Sequence, residues 1–62
     1  MPIIRVELLT GRSVEQKRAF AAAVTREAAQ ILTCPPEAVD VVFRDVERHD
    51  WAVAGILAAD KT

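Results

Sequence analysis

A chain of 62 residues with a single cysteine has no intrachain disulfide with which to hold a small core together. No group of histidines and cysteines has metal-ligand spacing either, so both common staples of miniature domains are missing. A domain of about 60 residues buries only about 60% of the surface its unfolded chain exposes, and is correspondingly marginal alone. Composition sharpens the difficulty, because 52% of the residues are hydrophobic. The remaining common way to increase burial is association with further copies. The sequence therefore reads as one domain, residues 1–62, that works as a subunit of an oligomer.

Charge excludes several partners. Eight Lys and Arg against nine Asp and Glu leave a net charge of −1, which gives no electrostatic footprint for nucleic acid or an anionic membrane. No apolar run approaches the roughly 20 residues that span a bilayer. Arg5 and Glu7 interrupt the apolar stretch after Met1, unlike the core of a signal peptide. The expected location is the cytoplasm.

Patterning predicts a β-α-β order. In Ile3–Leu9, Ile4, Val6 and Leu8 face one way and Arg5 and Glu7 the other, the signature of a strand ended by Thr10-Gly11. Ser13-Val14-Glu15-Gln16 is a capping box, and a helix is expected from Val14 to Leu32. Phe20, Val24, Ala28 and Ile31 form its apolar stripe, and Pro35-Pro36 stop it. A second strand is expected over Val39–Arg44, with Val39, Val41 and Phe43 on one face and Asp40, Val42 and Arg44 on the other. After a polar turn at Glu47–Asp50, Trp51–Leu57 reads as a short extended segment or hairpin. The two long strands should be parallel, because a helix joins them. One helix covers one sheet face, so the face carrying Ile3, Leu9 and Val42 needs a second copy.

Proline at position two is the sharpest chemical feature. A small second residue lets the initiator methionine be removed, which would free a secondary amine on Pro2. In an apolar pocket, desolvation and neighbouring cations lower the pKa of such an amine and make it a general base for a carbon acid beside a carbonyl. The bland alternative is a proline that starts an edge strand, where its missing N–H costs nothing. His49, in a polar turn, reads as a surface residue. Cys34, with no basic neighbour, reads as an inert thiol.

Pro2-Ile3-Ile4 opening a strand, Gly11-Arg12-Ser13 closing it and Glu15-Gln16-Lys17 in the first helical turn together resemble the 4-oxalocrotonate tautomerase family. The proline pair, the valine-rich second strand and Trp51-Ala52-Val53-x-Gly55 extend the resemblance over essentially the whole chain. It implies an α/β fold, a β-α-β unit with a short C-terminal strand or hairpin. It also implies assembly as a hexamer, a trimer of dimers, without metal or cofactor. It implies enol–keto isomerisation of small unsaturated 2-hydroxy or 2-oxo acids. Pro2 would be the proton carrier, Arg12 would bind a substrate carboxylate from a neighbouring subunit, and Trp51 would wall the site.

One position departs from the family pattern. Where well-studied members carry a second arginine at the start of the second strand, this chain has Asp40. A carboxylate there would favour the protonated form of Pro2 and repel a dianionic substrate by about 1 kcal/mol or more. Three explanations follow, in order of preference. Arg44, Arg48 or Arg5 supplies the cation from another position; Arg44 lies about 13 Å along the strand from Asp40. Alternatively, the chain is half of a heterohexamer whose partner carries the arginine, with a non-catalytic partner subunit as the extreme case. In the third, protonated Pro2 and Asp40 run a hydratase- or dehalogenase-like reaction. As the bland alternative, Asp40 lies at a strand end in water or pairs with an arginine at a subunit interface.

Overall fold

The computed structural model describes residues 1–61. Strand β1 spans Ile3–Leu9, helix α1 spans Val14–Leu32 and strand β2 spans Asp40–Val46. A hairpin of β3 (Ala52–Val53) and β4 (Ile56–Leu57) follows. Short 3-10 turns occupy Pro36–Ala38, Arg48–Asp50 and Ala58–Asp60. This is the expected α/β architecture: β1 and β2 pair in parallel, with Ile3 opposite Asp40 and Leu9 opposite Val46.

The helix starts where its capping box places it. The Ser13 hydroxyl accepts from the Gln16 N–H at 3.1 Å, and the Gln16 side chain accepts from the Ser13 N–H at 2.9 Å. Its other end closes on Thr33 in the left-handed region (φ 55°), followed by Cys34 donating to the Ala29 carbonyl at 3.1 Å. The helix lies over the sheet face of Ile4, Val6, Leu8, Val41 and Phe43, which are all half-buried. Phe20 meets Phe43 edge to face, with ring centroids 6.0 Å apart.

Three boundaries or faces differ from the sequence expectation. β2 begins at Asp40 rather than Val39 and continues through Asp45 and Val46. Asp45 falls on the helix-facing side, where alternation calls for an apolar residue, and Lys17 of α1 neutralises it at 2.9 Å. Ile31 does not pack; it is 74% exposed. A helix of this length runs about 28 Å, whereas seven-residue strands run about 23 Å, so the last turn overhangs the sheet. Leu9 is not left to a second copy, because the segment after β2 folds back and sets Trp51 and Leu9 into one groove. Ile3 and Val42, on the same outer face, stay 41% and 48% exposed.

No described side chain is fully buried. The molecule measures 43 × 24 × 13 Å. Among the described residues, no helix is long and apolar enough to cross a membrane.

Candidate active site

Pro2 precedes the first residue of β1 and is half-buried. Its carbonyl accepts the Asp40 N–H at 3.0 Å, the first rung of the ladder between the two strands. Ile3 and Asp40 are register partners, so the Cα atoms of Pro2 and Asp40 lie about 6 Å apart by strand geometry. Asp40 is exposed on the outer sheet face, and among the described residues its carboxylate forms no salt bridge. The departure from the family pattern therefore sits beside the candidate base.

Arg12 is at the other end. β1 carries the chain about 20 Å away from Pro2 before it turns at Gly11. Gly11 adopts φ 124°, a conformation that side-chain-bearing residues rarely take, and this turn sets Arg12 just ahead of the Ser13 cap. Arg12 borders a groove of about 250 Å³ whose apolar floor includes Phe20 and Phe43. Trp51 also lies at this end, half-buried near Leu9 and Val46. Pro2 and Asp40 are thus brought together. Arg12 and Trp51 share the opposite end, and no site can unite all four within one copy of the chain.

The three arginines considered as substitutes for the missing cation have distinct surroundings. Arg5 is on the outer face opposite Val42, and Arg44 is opposite Glu7. These two share one groove with Glu7 and Val42, so an acidic group is already present there. Arg48 is held: its Nη2 donates to the Ala58 carbonyl at 2.6 Å. It lines the Trp51 groove together with Lys61, a neighbour that sequence spacing alone does not reveal. The signal for Arg48 is local, because Arg48 and Trp51 are three residues apart across a 3-10 turn and so project on one side.

His49 lies 3.4 Å from the Asp50 carboxylate with both side chains well exposed, an ion pair in water when the imidazole is protonated. Cys34 is a free, half-buried thiol. Among the described residues, no three His, Cys, Asp or Glu side chains converge in a group that could hold a metal ion.

Known proteins resemble this chain in sequence and fold. The tautomerase enzyme family matches residues 2–61. A 2-hydroxymuconate tautomerase from Comamonas testosteroni is 37% identical over 60 residues, covering 97% of this chain and 95% of the relative. The crystal structure of a 4-oxalocrotonate tautomerase homologue aligns with a TM-score of 0.93 at 39% identity, over 100% of this chain and 98% of the other. A heterohexamer 4-oxalocrotonate tautomerase from Chloroflexus aurantiacus gives 0.92 at 35% identity, with 97% of each chain covered. With its β-α-β unit, its hairpin and a likeness that runs nearly end to end, the chain belongs to the tautomerase enzymes, a family of the isomerase type.

Proposed function

We propose that this chain, as a single domain over residues 1–62, is a cofactor-independent cytoplasmic enzyme that interconverts enol and keto forms of small unsaturated 2-hydroxy and 2-oxo acids. Removal of Met1 frees the Pro2 nitrogen. That nitrogen accepts the proton released by the enol and returns a proton to carbon, so the substrate's atoms are conserved and no covalent intermediate is needed. Arg12 orients a substrate carboxylate, and Trp51 keeps water from the reacting carbons. The observation that most supports this reading is the family match together with the position of Pro2, half-buried at the head of β1. The distance between Pro2 and Arg12 supports a site shared between subunits, and the heterohexamer relative supports hexameric assembly, with like or unlike chains.

The deciding assay follows ketonisation of 2-hydroxymuconate by ultraviolet absorbance, on protein whose intact mass shows loss of Met1. Turnover is expected, and Pro2→Ala should lower it by about 10²- to 10⁴-fold, the usual contribution of a positioned base. Absence of turnover by correctly processed protein sinks the assignment.

A second reading is favoured by one observation, the Asp40 N–H bonded to the Pro2 carbonyl at 3.0 Å, which holds a carboxylate-bearing residue next to the proline. In it, Pro2 stays protonated as an acid and Asp40 activates water for addition to an unsaturated acid. Hydration activity that disappears in Asp40→Asn, with no tautomerase activity, would select it.

A further inference from the structure

The groove beside Trp51 has a lining suited to a conjugated organic acid. Leu9, Val53 and Ile56 give it apolar walls, Trp51 adds an indole, and its two charged residues, Arg48 and Lys61, are both cations. Among the described residues, no carboxylate lines it. The other grooves lack this combination. The one with Arg5 and Arg44 contains Glu7, the cleft on the other side of Trp51 contains Glu7 and Asp50, and Lys17 near Arg12 is neutralised by Asp45. An uncompensated pair of cations beside an apolar wall attracts an anion with a planar hydrocarbon body.

Arg48 is also preorganised. A guanidinium has five N–H donors, and the bond from Nη2 to the Ala58 carbonyl at 2.6 Å fixes its plane while leaving other donors free. Because Arg48 and Trp51 line one groove of one chain, any assembly that brings Trp51 to a Pro2 brings Arg48 with it. That makes Arg48 a source of positive charge where Asp40 supplies none.

We infer that the Trp51 groove is a carboxylate-binding half-site in which Arg48, with Lys61, holds an anionic end of the substrate. The identity of the ligand rests on the tautomerase reading; the half-site itself rests on the groove. The probe is cis,cis-muconate, a conjugated dicarboxylate with no hydroxyl group to ketonise. Trp51 is the sole tryptophan, so its emission reports on this groove, and calorimetry gives an independent affinity.

Saturable binding is expected in the assembled protein. Arg48→Gln should weaken it by about tenfold or more, the effect of losing a charged hydrogen-bond partner. Arg48→Lys should fall between, and Lys61→Gln should weaken binding about threefold, as loss of a less directed charge. Absence of saturable binding overturns the inference, as does affinity unchanged in both Arg48→Gln and Lys61→Gln. Should Arg48→Gln fail to keep the native assembly, Lys61→Gln decides alone, because its side chain makes no hydrogen bond among the described residues. Arg48-dependent muconate binding in a protein that does not ketonise 2-hydroxymuconate keeps the half-site and removes the tautomerase reading. Turnover indifferent to Arg48 does the reverse.

Discussion

At the scale of single residues, the decisive neighbour of Pro2 is Asp40. Its backbone bond to the Pro2 carbonyl fixes the two residues side by side, and a carboxylate at that range favours the protonated form of the prolyl amine. The sign follows directly. If Pro2 is the base, as proposed, a carboxylate beside its freed amine lowers the fraction of free base at neutral pH and moves the rising limb of kcat/KM upward. In that role, Asp40→Asn should shift that limb down by about 0.5–1 pH unit, the strength of one partly screened charge a few ångströms away. A limb that stays in place would mean that the carboxylate points away from the nitrogen. The identities of Pro2, Arg12 and Trp51 as candidates were legible in the sequence through the family pattern. The neighbourhood of Asp40 was not, because it depends on the Ile3–Asp40 register set by the chain reversal at Pro35–Val39.

Local signals performed unevenly at the scale of elements, for physical reasons that can be named. The helix limits agreed because capping box and proline pair act within a few residues. The end of β2 did not, because Asp45 breaks alternation and is tolerated only through Lys17, which is 28 residues away in sequence. The helix C-terminus contains a different tension. Thr33 is β-branched yet sits at φ 55°, where a side chain meets its own backbone and glycine does not. Thr33→Gly should stabilise the protein by about 0.5–1 kcal/mol after the entropy of the freer unfolded chain is offset. Urea denaturation at one fixed protein concentration measures this. A lower midpoint would show that the threonine side chain contributes more than its backbone strain costs.

The whole molecule is unfinished as a monomer. A compact protein of this mass exposes about 4,000 Å² and has a radius of gyration of about 10.6 Å. This chain exposes 4847 Å² and has a radius of 14.7 Å. Ile3 and Val42 on the sheet, Phe20, Ile31 and Leu32 on the helix, and Val53 and Ile56 on the hairpin all remain substantially exposed. The burial deficit that short length imposes on an uncross-linked chain and the separation of Pro2 from Arg12 have one common remedy, which is a neighbour. If Pro2 and Arg12 serve one site, as proposed, they belong to different copies, and subunit mixing tests this directly. Pro2→Ala and Arg12→Ala should each be nearly inactive as pure oligomers. Refolded together in equal amounts, they should regain about one quarter of wild-type activity, because a quarter of random pairings join an intact Pro2 to an intact Arg12 across an interface. If both residues served one site from the same chain, every site would carry one lesion and mixing would restore nothing.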